Sequence, residues 1–179
     1  MRRHQLGAAS TGAVIAAALA LAAAALARPA AAQPGPESLA GLRLHAERDN
    51  TTDARVPGPV NFIVESTIDS IDRDTIAYTV DSRIIRVGGG VALHMVTRVK
   101  VAFAQVTVIH GENPTWLIGF QCPNDTRCIA WTVSTYGNDD ASARAPTGGL
   151  ENQSTLATSD PAAFQRIHAV LCTLAKCED

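Results

Sequence analysis

Apolar and polar residues alternate along most of the chain from Val60 onward. The clearest run, VALHMVTRVKVAF from Val91 to Phe103, keeps one face mostly apolar and the other mostly polar. Alternation with period two is typical of a strand with one side in the core and the other in water. The pattern therefore predicts a mainly β fold of about seven antiparallel strands in a bent barrel or sandwich. These predicted strands cover residues 60–69, 76–84, 91–103, 105–110, 116–122, 129–133 and 154–159.

The stretch at residues 115–133 concentrates two rare residue types around a short Pro-Asn-Asp turn. Trp116 and Cys122 precede the turn, and Cys128 and Trp131 follow it. Two apolar runs joined by a turn are typical of a β-hairpin, and a bridge between the two cysteines would hold its register. We therefore predict a disulfide-clipped hairpin in which the two Trp side chains pack in the core. Stacking of a sugar or another flat ligand on the indoles is the less favoured interpretation.

A helix is predicted at the end of the chain. Asp160 can accept hydrogen bonds from the first free amides, and Pro161 suits the first helical position because its missing N–H costs nothing there. Apolar residues then recur at helical spacing and form a stripe that must pack on the sheet. The stripe consists of Phe164, Ile167, Leu171 and Leu174.

The N-terminal 32 residues have the composition of a secretory signal peptide. Two arginines precede a long Ala/Leu-rich run, and the run ends in three alanines at residues 30–32. Cleavage after Ala32 is expected, which places the protein in the periplasm or outside the cell without a membrane anchor. Residues 33–59 are predicted to be an N-terminal arm or linker, with a short helical piece over 37–48 as an equal alternative. Residues 60–179 then form a single β-rich domain.

The charge of the mature chain argues against two classes of partner. Loss of residues 1–32 leaves 12 basic and 17 acidic side chains, a formal charge of −5. Binding to the phosphate backbone of nucleic acids needs a basic patch, and binding to anionic lipid needs a basic segment. The sequence therefore favours a protein or small-molecule partner of unknown identity, and the oligomeric state is not indicated.

All four cysteines follow the signal peptide, and an even number in an exported chain predicts two disulfides. We favour Cys122–Cys128 and Cys172–Cys177, because each closes a short local loop. The second bridge requires the helix to end near Leu174, since residues five apart in an intact helix are too distant. A bridge from hairpin to helix is the alternative. Zinc is less favoured, because the spacings lack the close cysteine pairs of structural zinc sites.

The element order resembles that of the pleckstrin-homology-like superfold. Seven short antiparallel strands are followed by the helix DPAAFQRIHAVLCTL, and the similar part covers Val60 to Cys177 without a diagnostic motif. The resemblance implies two sheets in a bent barrel with the helix at one open end. Lipid-binding members use a basic loop between the first two strands, whereas residues 69–75 here are acidic, so no phosphoinositide site is implied. Cystatin-like and lipocalin-like folds remain alternatives.

Two loops are candidate binding loops. The first contains Asp69, Asp72 and Asp74, which lack the glycine and glutamate that a calcium-binding EF-hand loop needs and are interpreted as a solvated turn. The second contains Gly88, Gly89 and Gly90, which no helix follows, so a phosphate-binding loop is disfavoured. Residues 136–149 form a third candidate, a long polar loop.

No catalytic motif is present in the sequence. The mature histidines, His45, His94, His110 and His168, have no metal-ligand spacing, and no serine lies in a nucleophile elbow. We therefore predict no catalytic residue, cofactor or metal ion, and we favour a protein that is not an enzyme.

Two function hypotheses follow. The first is an exported, non-catalytic binding or interaction domain of a bacterial-type cell envelope, which predicts an exposed apolar or edge-strand surface. The second is a carrier of a small apolar ligand with an open barrel interior, which predicts a continuous apolar cavity of about 300 Å³ or more. That cavity would be lined by Leu93, Met95, Phe103 and Trp116. A hydrolase or protease inhibitor is a less favoured third hypothesis.

The predicted staple can be tested by mutation. Cys122→Ser and Cys128→Ser should each destabilise the fold by about 2–5 kcal/mol, as loss of a native disulfide does in small exported domains. Thermal unfolding of each variant, and of the parent with and without reductant, checks this expectation. An unchanged midpoint would contradict a stabilising bridge.

Overall fold

Within the residues that the structure describes, the fold consists of ten strands and one α-helix. The computed structural model describes residues 35–112, 115–136 and 144–178. A 3-10 turn at Pro36–Leu39 precedes the first strand, and the helix α1 covers Pro161–Leu174. The strands are β1 Arg43–Asp53, β2 Val56–Ile71, β3 Thr75–Arg86, β4 Val91–Ala102, β5 Thr107–Glu112, β6 Trp116–Gln121, β7 Ile129–Tyr136, β8 Thr147–Glu151, β9 Gln153–Thr158 and β10 Lys176–Cys177.

The strands form two sheets that do not close into a barrel. The larger sheet has the order β1-β2-β3-β4-β7-β8 with antiparallel neighbours throughout. The smaller sheet has the order β10-β5-β6-β9, in which only the two-residue β10 pairs in parallel. The predicted mainly β fold with one C-terminal helix is therefore confirmed, in the form consistent with a sandwich.

Three strands were not predicted: β1, β8 and the two-residue β10. The expected arm at residues 33–59 is instead structured from residue 36 onward, with β1 paired to β2 from Arg43↔Thr67 to Asp53↔Val56. The alternative helical piece at 37–48 is likewise wrong beyond its first turn. Only Leu44 and Ala46 are buried along β1, so most of its residues are polar and the strand lacks a clear alternating pattern. Strand β8 occupies the end of the predicted 136–149 loop, and residues 137–143 of that loop lie outside the described residues.

The predicted hairpin at residues 115–133 is wrong in its pairing. Strand β6 pairs with β5 and β9 in the smaller sheet, whereas β7 pairs with β4 and β8 in the larger one. The chain therefore crosses from one sheet to the other through a 3-10 turn at Pro123–Asp125. Alternation along a strand shows which side is buried but not which strand lies next to it.

The predicted disulfides are both present. Cys122–Cys128 closes the crossing, with Cα atoms 5.9 Å apart. Cys172–Cys177 joins the helix to β10, with Cα atoms 5.4 Å apart. The helix ends at Leu174 and Ala175 is extended, which is the unwinding that this bridge requires.

The main core lies between the two sheets and under the helix. Trp116, Ile118 and Phe120 share one face of β6, as period two requires. Phe120 stacks on the buried Tyr78 of the larger sheet, with ring centroids 5.9 Å apart. Trp116 contacts Phe164 of the helix at 4.9 Å. One face of the smaller sheet therefore supports both layers.

The helix begins and packs as its sequence predicts. The side chain of Asp160 accepts a hydrogen bond from the amide of Ala162 at 2.9 Å. Phe164, Ile167 and Leu171 are buried in the main core, and Leu174 is partly buried against it. Val170 adds a fourth buried position to the predicted stripe.

A second, smaller core forms where the larger sheet extends away from the main core. Val56, Val60 and Ile84 are buried there, and Phe62 and Leu93 pack on them. These residues come from the β1–β2 hairpin and from the ends of β3 and β4 that lie near it. The two cores divide the long strands into a deeply packed half and a half with partly exposed apolar residues.

The predicted signal peptide, residues 1–32, lies outside the described residues. Within the part of the chain that the structure describes, no helix is long and apolar enough to cross a membrane.

Two buried hydroxyl groups allow a stability test. The Tyr78 hydroxyl donates to Ser154 Oγ at 2.7 Å, whereas Ser66 Oγ is buried without a hydrogen-bond partner among the described residues. We expect Ser154→Ala to lower the free energy of unfolding by about 1–3 kcal/mol, because it leaves a buried hydroxyl unpaired.

Ser66→Ala is the matched control and should be neutral or stabilising, because it removes an unpaired buried group. Urea unfolding of both variants measures the difference. Equal losses for the two substitutions would contradict the assigned hydrogen bond.

Candidate functional site

A mostly apolar groove lies between the edge of the smaller sheet and the extended half of the larger sheet. Its volume is about 340 Å³. We call it the apolar groove, and it is lined by Ala46, Glu47, Arg48, Thr51, Thr52, Phe62, Val64, Thr115, Leu117 and Ala157.

The groove arises where two edge strands meet. Strands β1 and β9 are the neighbouring edges of the two sheets, and the amide of Ser159 donates to the carbonyl of His45 at 2.8 Å. The groove begins at the next residue of β1, Ala46, and continues along the hairpin. Ala46 is paired with Val64 in the register of β1 and β2, so their side chains share a face.

The rim of the groove carries charge. Arg48, on β1, is exposed and paired in register with Phe62, which places a cation beside the apolar wall. Glu47 shares the other face of β1 with His45, and its carboxylate lies 3.7 Å from the His45 imidazole. The groove can therefore accept an apolar body and offer a positive charge at one side.

The tip of the β1–β2 hairpin is held by an ion pair. Arg55 donates from Nη2 to Asp53 Oδ2 at 2.7 Å and from Nε to Oδ1 at 2.9 Å, and its amide also donates to Oδ1 at 2.8 Å. These hydrogen bonds lower the pKa of Asp53 from 3.8 to about 2 and raise the pKa of Arg55. Thr51 and Thr52 of the groove lining directly precede Asp53, so this ion pair lies at the end of one wall of the groove.

The predicted acidic loop is a turn with internal hydrogen bonds. Asp72 Oδ1 accepts from the amides of Asp74 and Thr75 at 2.8 and 2.7 Å, which lowers the pKa of Asp72. Asp69 lies within β2 and its carboxylate accepts from the hydroxyl of Thr79 at 2.8 Å. The carboxylate of Asp72 therefore stabilises the turn, and the carboxylate of Asp69 makes a contact between β2 and β3.

The predicted glycine loop is a turn with left-handed backbone. Gly88, Gly89 and Gly90 have φ angles of 106°, 109° and 88°, which residues with a Cβ rarely adopt. The acidic loop precedes the 12-residue β3 and the glycine loop follows it, so about 40 Å of strand separates the two loops. The structure brings the two loops neither to each other nor to the groove lining.

The predicted lining of a ligand cavity is not brought together either. Phe103 and Trp116 belong to the main core, whereas Leu93 packs on the second core. Met95 lies beside Arg55, whose Nη1 is 3.7 Å from the Met95 sulfur. The groove that the structure forms has none of these four residues in its lining.

The histidines fall into separate environments. His94 is only 8 % exposed; its Nε2 lies 3.0 Å from Asp81 Oδ1, and its ring stacks on Tyr136 at 4.7 Å. His110 and His168 come from β5 and α1 and meet at 5.1 Å between ring centroids. Sequence spacing gave no signal for this second pair, because 57 residues separate its members.

One edge of the larger sheet is also exposed. Every residue of β8 is solvent-exposed, including Leu150 at 51 %. Gly148 and Gly149 of β8 pair with Thr132 and Trp131 of β7, and Gly149 lies against the indole of Trp131. The glycines lower the strand propensity of this segment, which explains why it was predicted to be loop.

The ion pair of Asp53 and Arg55 should make the free energy of unfolding depend on pH. The pKa of Asp53 is lowered in the folded state, so its ion pair stabilises fully above its unfolded value of 3.8 and is lost as the pH falls toward 2. We expect Asp53→Asn to destabilise the protein at pH 6 and to have little effect at pH 2.

Arg55→Gln should give the same pH dependence, because it removes the other member of the pair. Urea unfolding at several pH values measures both. A difference from the parent that stays constant across this pH range would contradict the assignment.

Comparisons with protein-family models, curated proteins and solved structures gave no match for this chain. Its function must therefore be inferred from its own residues.

Proposed function

We propose that this protein is an exported, non-catalytic binding domain whose apolar groove binds a small amphiphile with an apolar body and an anionic group. The observation that carries the proposal is the groove itself. Its volume of about 340 Å³ lies in the range of ligand sites, about 300–1,000 Å³, and such sites are mostly apolar with a few polar groups.

The charge at the rim supports the anionic group. Arg48 is exposed at one side of the groove, next to Phe62 in register. A carboxylate or sulfonate at this position would pair with the guanidinium while its apolar chain lies against Phe62 and Val64.

Binding rather than catalysis is supported by the positions of the displaced pKa values. Asp53 ends β1, and Arg55 and Asp72 lie in the turns that follow β1 and β2; local hydrogen bonds account for each of these shifts, and burial raises the pKa of Tyr78 in the core. Such shifts often mark active sites when they cluster in a cleft, but structural networks produce them too. Here three of the shifts come from hydrogen bonds at the ends of strands and in turns, and the fourth comes from burial in the core.

Export is part of the proposal, together with a role in a cell envelope. Both disulfides join cysteines that follow the proposed signal peptide, and structural disulfides persist in oxidising compartments. The resemblance to the pleckstrin-homology-like superfold supports only a β scaffold with a packed C-terminal helix. The larger sheet here has six strands, so the total exceeds the seven strands of that superfold.

A second candidate function is interaction with a partner protein at the β8 edge. The exposed edge strand is the observation that favours it. An extended segment of a partner could add to the sheet there through main-chain hydrogen bonds.

The groove can be tested with dodecanoate and the neutral dodecanol as paired probes, measured by calorimetry. Ala157→Trp should fill the groove and abolish binding of both probes. Arg48→Gln should weaken dodecanoate about tenfold, as loss of about 1.4 kcal/mol of charge interaction would, and leave dodecanol unchanged.

Leu150→Lys on β8 is the control for a surface change outside the groove and should bind both probes normally. Circular dichroism confirms that each variant is folded. Normal binding by folded Ala157→Trp would contradict the groove, and loss of binding in Leu150→Lys alone would favour the β8 edge.

A further inference from the structure

The Cys172–Cys177 disulfide lies beside two histidines at the end of the helix. His168 precedes Cys172 by one helical turn, and its Nε2 lies 3.4 Å from the Cys172 sulfur. The imidazole nitrogen and both sulfurs all lie within 4.8 Å of one another. The three residues have the spacing H-x3-C-x4-C in the sequence, and the fold brings their donor atoms together.

The donor types at this place match a soft metal ion. Thiolate sulfur and imidazole nitrogen are the ligands of tetrahedral Zn²⁺ sites. A fourth donor is close: the exposed His110 of β5 has its ring centroid 5.1 Å from that of His168. In the disulfide the sulfurs carry no thiolate, so the oxidised group cannot bind the ion through them.

Strand pairing holds the cysteines near each other independently of their bond. Cys177 lies in β10, which is paired with β5 at Thr107 and Val108. The amide of Glu178 donates to the carbonyl of Val108 at 3.0 Å, and the amide of Ala175 donates to that of Leu171 at 2.9 Å. Reduction of the disulfide therefore leaves both sulfurs beside His168, free to separate to the spacing that a bound ion needs.

We propose that His168, Cys172 and Cys177 form a redox-gated Zn²⁺ site, with His110 as the fourth ligand. A dithiol reductant opens the site: it gives two electrons and two protons to the disulfide, which becomes two thiols, and is itself oxidised to a disulfide. Zn²⁺ then binds the two sulfurs and His168, and the two thiol protons are released to solvent. Oxidation to the disulfide excludes the ion.

The other disulfide provides an internal control. Reduction of Cys122–Cys128 also yields two thiols, but no histidine or carboxylate joins them in a group among the described residues. A chain with Cys122→Ser and Cys128→Ser therefore keeps the proposed site, and a chain with Cys172→Ser and Cys177→Ser keeps only the other pair.

Co²⁺ is the spectroscopic probe for the test, with Zn²⁺ competition as the second measurement. The purified chain is reduced with a phosphine, freed of reductant and titrated without oxygen, while circular dichroism follows the fold. We expect one Co²⁺ per chain with sulfur charge-transfer and tetrahedral bands in the reduced parent and in the Cys122→Ser, Cys128→Ser variant. We expect none in the oxidised parent or in the Cys172→Ser, Cys177→Ser variant.

His168→Gln tests the nitrogen ligand and should weaken binding about tenfold or more, at least the loss seen when an outer partner of a ligand is removed. His110→Gln should alter the tetrahedral bands. The proposal is overturned if the oxidised chain binds equally, if Cys172→Ser, Cys177→Ser retains the site, or if His168→Gln has no effect. Binding that appears only with loss of the β-sheet signal also overturns it, because the folded site would not be responsible.

Discussion

The structure depends on the packing of one face of the smaller sheet against two different layers. Phe120 on this face stacks on Tyr78 of the larger sheet. Trp116, four residues earlier on the same face of β6, contacts Phe164 of the helix. The hydrogen bond from Tyr78 to Ser154 adds a polar contact at the centre of the same interface. Tyr78, Phe120 and Phe164 are buried and Trp116 is partly buried, and large aromatic side chains bury much apolar area, so altering this face weakens its packing on both layers.

The groove is a consequence of unequal sheet sizes. Four short strands cannot cover the inner face of a six-stranded sheet that contains the long strands β1 to β4, so the larger sheet continues past its partner. A second core under the β1–β2 hairpin covers part of that remainder, and the ion pair of Asp53 and Arg55 fixes the hairpin tip. The groove is the part that neither core covers. Its apolar lining therefore follows from the architecture, while Arg48 gives it a chemical preference.

Much of the fold could be predicted from the sequence because the relevant signals are local. Alternation located seven strands, Asp160 and Pro161 located the helix start, and short spacing located both disulfides. The pairing of β6 and β7 could not be predicted, since alternation carries no information about neighbours. Strand β1 was missed because only Leu44 and Ala46 are buried along it, and β8 because it is exposed and contains two glycines.

The candidate site was harder to predict than the fold. Ala46, Phe62, Leu117 and Ala157 come from four strands and meet only because β1 lies beside β9. The pairing of His110 with His168 likewise depends on how α1 lies across β5. Considered one at a time, each of these residues looks like an ordinary strand or helix residue. Only non-local contacts reveal them, and a single sequence does not contain such contacts explicitly.

The covalent crossing between the sheets also has a mechanical consequence. Cys122 ends the passage through the smaller sheet and Cys128 precedes the entry into the larger one. When the chain is pulled from its two ends, tension passes through the sulfur–sulfur bond, and residues 123–127 carry none of it. The crossing therefore cannot lengthen under load. The two sheets can separate only by breaking strand pairs, because the segment between them cannot extend.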